Sequence, residues 1–285
     1  MITLASDFGS PYPAAMKGVL LERIDSDVRL VDITHELPRG DVHSSAFWLR
    51  EILPYFPPAI HLVVVDPGVG TDRRAIVVRA GDHLLVGPDN GVLLPVARRL
   101  AASSDQRPDG ASADSTGPTA SLEVFSVDES ALETPVPTGG KAEAAGSTTF
   151  HGRDVFAPIA AALEETDRPL EGLPWLSPLS DPVDCTLPTA AIDGDTAEAT
   201  VLAVDDFGNV ITNVPGRFLE GVDRVLVDDE RVPVGETFAS VERGEPVALV
   251  GSHGYVELDV NDGRGSEAFG LFVDEHVTLE RLESP

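Results

Sequence analysis

Three clusters of polar residues follow predicted strands in the N-terminal part of the chain, and they are the first candidates for chemistry. The clusters are Asp7-Phe8-Gly9, Asp66-Pro67-Gly68-Val69-Gly70-Thr71 and Gly87-Pro88-Asp89-Asn90-Gly91. Because ligands of an open α/β sheet bind beyond the carboxyl ends of its strands, the three loops could share one crevice. For any one loop taken alone, the alternative is that its glycine permits a tight turn and its aspartate caps a helix.

The loop that begins at Asp66 carries a distinctive combination of side chains. It lacks the Gly-Lys-Ser/Thr ending of a phosphate-binding P-loop and the glycine spacing of a dinucleotide fingerprint. It has instead a carboxylate at its head and two guanidinium groups, Arg73 and Arg74, just beyond its end. A carboxylate paired with an arginine makes charge-assisted hydrogen bonds of fixed geometry, and such a pair can hold a water molecule or a second carboxylate in one orientation.

The apolar pattern predicts the elements that position these loops. In the first hundred residues, short apolar runs typical of strands alternate with stretches of helical spacing, which predicts a doubly wound, mostly parallel sheet with helices on both faces. A helix over residues 41–52 has Asp41 as its expected N-cap, and the run 60–65 is apolar enough for a strand covered on both faces. After the proline-rich residues 174–188, short strands separated by turn residues predict a small all-β barrel.

The fold class predicted from these patterns is α/β, with an N-terminal α/β domain over residues 1–188 and a smaller C-terminal β-barrel domain over residues 193–285. Residues 102–149 are rich in Ser, Thr, Gly, Pro, Ala and acidic residues, and they are predicted to form a flexible acidic insertion around one strand at 122–127. We expect residues 102–120 and 133–147 to be mobile and dispensable for chemistry.

Charge sets the chain apart from ordinary globular proteins. It has 48 acidic and 20 basic residues, a formal net charge of −28, and only two lysines, Lys17 and Lys141. A phosphate polyanion would meet repulsion without a basic stripe to offset it, which argues against a nucleic-acid partner. The acidity is spread along the whole chain, as expected for a halophilic protein whose self-repulsion is screened by concentrated salt. The sequence shows no run of the roughly 18 apolar residues that span a bilayer and no basic, apolar start typical of a secretory signal, so no membrane contact and a cytoplasmic location are predicted.

Neither cysteine nor histidine indicates a metal site. Cys185 is the single cysteine, which excludes an internal disulfide and a cysteine-built metal centre. Five histidines have no second ligand at metal spacing and are expected on the surface or satisfied in the core. They are His35, His43, His61, His83 and His276. The sequence predicts no bound metal.

Six motifs, taken together and in order, are similar to those of the S-adenosyl-L-methionine (SAM) hydroxide adenosyltransferase family, which is related to fluorinating and chlorinating enzymes. The motifs are Ser6-Asp7-Phe8-Gly9, Asp66-Pro67-Gly68-Val69-Gly70-Thr71-Asp72-Arg73, Gly87-Pro88-Asp89-Asn90-Gly91, Phe150-His151-Gly152-Arg153-Asp154, Asp205-Asp206-Phe207-Gly208-Asn209 and Gly251-Ser252-His253-Gly254-Tyr255. They span both predicted domains. Only residues 102–149 look longer and looser than the usual connection in the family.

The resemblance implies roles for particular residues. The family's catalytic set of aspartate, arginine and histidine falls on Asp66, Arg73 and His151, with Arg74 in place of Arg73 if the register is shifted by one. Asp7 matches the position that binds the ribose hydroxyls, a role suited to a carboxylate acceptor. The other matched substrate-binding positions are Asp205 and Asn209 for the methionine moiety, and Phe207, Phe238, Ser252, His253 and Tyr255 around the adenine.

The resemblance also implies a reaction and an assembly. Water attacks the 5′ carbon of SAM, which is a substrate and not a cofactor, and the products are adenosine and methionine. The leaving group departs as neutral methionine, so neither a general acid nor a metal is needed, and the side chains must orient and deprotonate water. A homotrimer is implied, with ligand sites between the N-terminal domain of one subunit and the C-terminal domain of a neighbour. Two alternatives are a halogenase of the same fold and a non-catalytic protein that binds adenosine or SAM.

Overall fold

The structure, a computed structural model, describes residues 1–104, 122–131 and 149–282. The chain divides into two compact units, Met1–Cys185 and Thr186–Pro285. The segments predicted to be mobile lie outside the described residues, apart from residues 102–104, which end a helix. Within the described ranges, no helix combines the length and apolarity that crossing a bilayer requires.

The N-terminal unit is built on a seven-stranded sheet. Its strands, in chain order, are β1 (Ile2–Ser6), β2 (Leu30–Thr34), β3 (Ile60–Val64), β4 (Ala75–Ala80), β5 (His83–Pro88), β6 (Leu122–Val127) and β7 (Leu176–Pro178). Their order across the sheet is β2-β1-β3-β5-β4-β6-β7. The predicted α/β class and the strand at 122–127 are confirmed.

The strand directions make this sheet mixed. Neighbours among β2, β1, β3 and β5 are parallel, whereas β5 with β4, β4 with β6 and β6 with β7 are antiparallel. Only Gly81 and Asp82 separate β4 from β5. Two residues can close a hairpin but cannot carry a crossover, and Gly81 has the positive φ of 59° that suits such a turn. The parallel half of the sheet therefore supplies the strand ends predicted to carry the site.

Helices cover both faces of this sheet, as predicted. They are α1 (Tyr12–Leu21), α2 (Val42–Ile52), α3 (Leu94–Ser104) and α4 (Ala157–Glu164). Met16 of α1 and Ile159 of α4 belong to the core on one face, and Leu49 of α2 and Val96 of α3 belong to the core on the other. The predicted cap of α2 is present, since the Asp41 side chain accepts a 3.0 Å hydrogen bond from the Ser44 amide. Strand β3 between these layers is buried along its whole length.

A polar chain crosses the sheet inside this core. Thr3 Oγ1 lies 2.7 Å from His61 Nδ1, and His61 Nε2 lies 2.8 Å from His83 Nδ1. All three side chains are buried. Burial, together with the charge of a protonated His83, lowers the pKa of His61 to about 3, so its ring is neutral in the folded protein. Of the two positions expected for His61 and His83, the surface or the core, both occupy the core with hydrogen-bonded rings.

The C-terminal unit is an eight-stranded, nearly closed β-barrel. Its elements are β8 (Ala191–Asp193), β9 (Thr196–Val204), β10 (Val210–Pro215), β11 (Arg224–Val227), β12 (Glu230–Pro233), β13 (Pro246–Val250), β14 (Tyr255–Val260), α5 (Gly265–Phe269) and β15 (His276–Leu282). The strand order is β12-β11-β15-β9-β10-β14-β13, with β8 paired to β9. A bridge between Val234, just after β12, and Ala248 of β13 joins the two edges. The predicted C-terminal barrel is confirmed.

Candidate active site

A cleft of about 510 Å³ opens at the carboxyl ends of β1 and β3, and we call it the N-terminal cleft. It brings together the first two of the three predicted clusters. The lining residues are Asp7, Phe8, Tyr12, Arg39, Gly40, Asp66, Pro67, Val69, Thr149 and Phe150. Phe8, Tyr12 and Phe150 form an edge-to-face trio whose ring centroids lie 5.4–6.2 Å apart. The cleft therefore combines an aromatic wall with two carboxylates.

Arg73 contacts both Asp66 and His151 beside this cleft. Arg73 holds Asp66 with two hydrogen bonds, Nε to Oδ1 at 2.9 Å and Nη2 to Oδ2 at 2.5 Å. The same Nη2 lies 2.7 Å from His151 Nδ1. The side chains of Arg73 and Asp66 are only 9% and 4% exposed, so the pair is shielded from the solvent screening that weakens surface ion pairs.

These contacts fix the protonation of His151 in this arrangement. A guanidinium has only donors, so His151 Nδ1 must accept the hydrogen bond from Arg73. The ring is then neutral, and its proton is on Nε2. The group offers the free lone pairs of Asp66 as acceptors and the Nε2–H of His151 as a donor. Such a pair of opposite functions can orient a molecule as small as water.

A short π-helix over Gly152–Phe156 follows His151 and leads into α4. π-Helical turns are rare and often lie at functional sites, where they redirect side chains. Here the turn brings the Phe156 ring against Arg73, whose Cζ lies 4.8 Å from the ring centroid. Gly152 has no room for a side chain, because a Cβ there would lie 2.8 Å from Met16 Sδ and 3.2 Å from a ring carbon of Phe8.

Arg74, the alternative to Arg73, turns away to a different aspartate. Its Nε donates to Asp89 Oδ2 at 2.7 Å, and its Nη2 donates to the Asp181 carbonyl at 2.8 Å. Asp89 also accepts from the Val183 amide at 2.8 Å. The third predicted cluster, which contains Asp89, thus ties the segment near residue 181 to the sheet. Among the described residues, no member of that cluster lines the N-terminal cleft.

Asp7 is held from the side of the 35–40 segment. Its Oδ2 accepts a 2.8 Å hydrogen bond from the Gly40 amide, which leaves Oδ1 for other partners. His35 anchors this segment, with Nδ1 2.8 Å from Ser6 Oγ and Nε2 3.1 Å from Asp32 Oδ1. Partial burial tends to raise the pKa of Asp32, but the hydrogen bonds from Lys17 and His35 outweigh this effect and lower it. His35, expected on the surface or in the core, is thus a satisfied and largely buried residue of the scaffold.

A second cleft, of about 790 Å³, lies in the C-terminal unit, and we call it the barrel pocket. The lining residues include six of the seven positions predicted there for substrate binding: Asp205, Phe207, Asn209, Phe238, Ser252 and His253. Tyr255, the seventh, is not among them and begins β14, where its carbonyl accepts from the Gly251 amide at 2.9 Å. Phe207 is 77% exposed, a large apolar surface at the pocket's edge.

The 205–209 segment of the barrel pocket is a tight hairpin between β9 and β10. Asp205 accepts from the Asn209 backbone amide at 2.9 Å and from its side-chain amide at 3.0 Å. Gly208 has a φ of 91°, and a Cβ there would lie 2.7 Å from Arg264 Cβ. The pocket is also lined by residues that were not predicted from the sequence: Arg264 and the acids Glu236, Glu257 and Asp262. Their scattered positions in the sequence gave no signal. With Asp205, the three acids outnumber the basic lining residues Arg264 and His253, which makes the pocket acidic.

Fold and site together define a class: an α/β unit followed by a β-barrel, with a guanidinium that contacts both a carboxylate and an imidazole beside a cleft. In the described part of the chain, no cluster of three or more His, Cys, Asp or Glu side chains is arranged to hold a metal ion. Residues 2–173 match the SAM hydroxide adenosyltransferase N-terminal domain, and residues 199–278 match the C-terminal domain of the same name. The chain belongs to the SAM hydroxide adenosyltransferase family.

Individual relatives agree with this assignment. The chain is 38% identical over 273 residues to the (R)-S-adenosyl-L-methionine hydrolase of Salinispora tropica, covering 95% of this chain and 94% of the relative. It is 41% identical over 274 residues to the protein of that name from Thermus thermophilus, covering 93% of this chain and 94% of that relative. A fluorinase from Actinopolyspora mzabensis is more distant, at 26% over 301 residues. The crystal structure of an uncharacterized conserved protein from Thermotoga maritima superposes with a TM-score of 0.75 at 30% identity, covering 99% of this chain and 100% of that one.

Proposed function

We propose that this protein hydrolyses S-adenosyl-L-methionine to adenosine and L-methionine. The observation that carries the proposal is the contact of Arg73 with both Asp66 and His151, which leaves an acceptor and a donor for one water molecule. The water oxygen forms a bond to the 5′ carbon of the ribose while the bond from that carbon to sulfur breaks. The electron pair goes to sulfur, neutral methionine leaves, and one proton is released.

Each side chain has a distinct part in this step. The Asp66 carboxylate accepts a hydrogen bond from the water and then its proton, which raises the electron density on the attacking oxygen. Arg73 fixes the carboxylate through its two hydrogen bonds and prevents rotation. The His151 Nε2–H donates to the water oxygen and sets its direction. Because the sulfonium leaves as a neutral thioether, the reaction needs no general acid, metal or cofactor.

The substrate is proposed to be held by both groups of predicted binding residues. Asp7, with Oδ1 remaining beyond its bond to Gly40, suits the two ribose hydroxyls. In the barrel pocket, Asp205 and Asn209 are proposed to hold the methionine moiety, and Phe207 and Phe238 the adenine. The acidic lining of that pocket favours a cationic sulfonium over a neutral product.

The direct test is incubation with SAM in water enriched in ¹⁸O, followed by chromatography and mass spectrometry. Adenosine carrying ¹⁸O at the 5′ position, with equimolar methionine, is the expected result. Asp66→Asn, which keeps the shape and removes the charge, should lower kcat far more than it raises KM. The relatives' names specify the (R) sulfonium epimer, so both epimers should be tested and the (R) epimer is expected to be consumed.

The same assay separates the two alternatives. An ionised carboxylate at Asp66 repels an anionic nucleophile, so adenosine should be the product even in molar chloride. Formation of 5′-chloro-5′-deoxyadenosine would identify a halogenase. Recovery of unchanged SAM from a protein that binds it would identify a non-catalytic binding protein.

We propose further that the protein is a homotrimer whose sites combine the N-terminal cleft of one subunit with the barrel pocket of a neighbour. A subunit-mixing experiment tests this. Asp66→Asn and Asp205→Ala should each be nearly inactive alone, and co-expression should restore part of the activity only if one site draws on two subunits. Light scattering of the purified protein gives the subunit number. The cytoplasmic location and the adaptation to salt stay predictions from composition.

A further inference from the structure

Asp259 is a buried acid that no described residue hydrogen-bonds. Its side chain lies on β14 with no solvent exposure, and neither carboxylate oxygen is hydrogen-bonded by any of the described residues. An ionised carboxylate at this position would lose its hydration with no hydrogen bond to replace it, which is strongly unfavourable. The Asp259 carboxyl group is therefore protonated and neutral near pH 7, unlike the acidic side chains that are exposed to water.

Two other carboxyl groups lie next to Asp259. Glu257 stands two residues earlier on the same face of β14 and lines the barrel pocket. Leu258 pairs with Val210 of β10, so the same register carried one residue further places Asn209 opposite Asp259. Asn209 in turn holds Asp205. Burial and then the charges of Glu257 and Asp205 raise the pKa of Asp259 to about 8.

Two basic side chains lie beside this cluster: His253, whose Nδ1 is 3.4 Å from Glu257 Oε1, and Arg264, which directly precedes α5 and lines the same pocket. The two strands paired with β14, β10 and β13, contain no ionisable residue, and the single ionisable side chain of α5, Glu267, is exposed. Neither of these two side chains hydrogen-bonds Asp259, and the three carboxyl groups outnumber them. Asp205 and Glu257 both line the barrel pocket, so a cation bound there would lie against them.

We infer that Asp259 couples ligand binding in the barrel pocket to proton release. The carboxyl group keeps its proton while Asp205 and Glu257 are its charged neighbours, and its O–H bond dissociates to the solvent when a cationic group binds against those two residues. Asp259 is a positioning residue that sets the charge of the pocket without touching the ligand. For the identity of the cation, the sulfonium of SAM, this inference rests on the proposed function.

Titration calorimetry in two buffers of different ionisation enthalpy measures the protons released. The Asp66→Asn protein serves as the parent, so that SAM is not consumed during the titration. If the bound sulfonium lowers the pKa by about one unit, SAM binding at pH 7.5 should release about half a proton more from the parent than from the same protein carrying Asp259→Asn. The affinity for SAM should rise about sixfold between pH 6.5 and 8.5 in the parent, relative to the Asp259→Asn protein. The difference between the two proteins removes the contribution of the ligand's own amino group.

Matched controls separate this effect from a general change of charge. Asp229→Asn makes the same substitution in an exposed turn of the barrel and should leave the proton count unchanged. Neutral adenosine should give equal proton counts with and without Asp259. If Asp259→Asn does not fold, Asp259→Ala provides the second comparison. Equal proton release by the parent and the Asp259 variants overturns the inference.

The outcomes also distinguish this inference from the proposed function. SAM that binds with proton release but is not hydrolysed by the unaltered protein would defeat the proposed function and support the coupling. Hydrolysis without any contribution of Asp259 to the proton count would support the proposed function and defeat the coupling. Failure of SAM to bind would overturn both.

Discussion

Acid should destabilise the N-terminal unit through a single imidazole, that of His61. In the unfolded chain this ring titrates near its ordinary pKa of 6.5, whereas in the folded protein the pKa is about 3. Below pH 6.5 the unfolded state therefore binds a proton that the folded state excludes, and stability falls as the pH falls. The free energy of unfolding should drop by about 1.4 kcal/mol per pH unit, or about 2 kcal/mol between pH 6.5 and 5, and the loss should level off near pH 3.

Urea unfolding at constant salt from pH 7 to pH 5 measures this loss. Both tryptophans, Trp48 and Trp175, lie in the N-terminal unit, so their fluorescence follows the unit that contains His61. His61→Gln removes the titrating group. It should cost about 1–3 kcal/mol at pH 7, because Thr3 and His83 lose their buried partner. Its stability should then fall by about 2 kcal/mol less than that of the unaltered protein on going to pH 5.

The control is His276→Gln, which removes an exposed imidazole from β15. This variant should keep the pH dependence of the unaltered protein. If His61→Gln loses stability with acid as steeply as the unaltered protein, His61 is not excluded from protonation and the account of the buried chain is wrong.

Four further outcomes are expected. Asp7→Ala should weaken binding of SAM and of adenosine alike, measured by calorimetry; an effect on only one of them would contradict a ribose contact. Arg73→Lys cannot hold Asp66 with two bonds and reach His151, so kcat should fall by about 100-fold or more with a small change in KM. Gly208→Ala should lower the thermal stability of the barrel by about 1–3 kcal/mol, because φ is 91° there and Arg264 blocks a Cβ. With a net charge of −28, the protein should melt at a higher temperature in molar KCl than in dilute buffer, and equal melting temperatures would refute adaptation to salt.

The local pattern of apolar and capping residues predicted most of the regular elements. The Asp41 cap and the fully buried β3 were predicted because they depend on neighbours in sequence. The antiparallel pairing of β4 was missed, although the two residues between β4 and β5 carry the signal of a hairpin. Strand β12 was missed because only Val232 of its four residues is buried, so its apolar pattern is weak.

In the candidate site, too, contacts between residues close in sequence could be predicted, whereas contacts between distant residues could not. Asp66 and Arg73 are seven residues apart in one loop, and the local chemistry predicted a carboxylate paired with Arg73 or Arg74; the resemblance favoured Arg73. His151 is 78 residues from Arg73, and only the family resemblance connected them. Nothing local predicted Asp259, because an acid within an apolar strand gives no indication of whether a partner will face it. Buried polar chains depend on tertiary packing, which a single sequence does not display.

The separation of the two clefts along the chain has a consequence for how such a protein can diversify. The residues proposed to orient the nucleophile are Asp66, Arg73 and His151, whereas the barrel pocket is drawn from residues 205–264. With the roles proposed above, substitutions in the barrel should change which base or leaving group is accepted without altering the Asp66–Arg73 pair. Recognition of the ribose, through Asp7, stays with the N-terminal cleft. Grafting a barrel from a relative of different ligand preference is therefore a practical route to new adenosyl chemistry, in which selectivity and reaction type are varied one at a time.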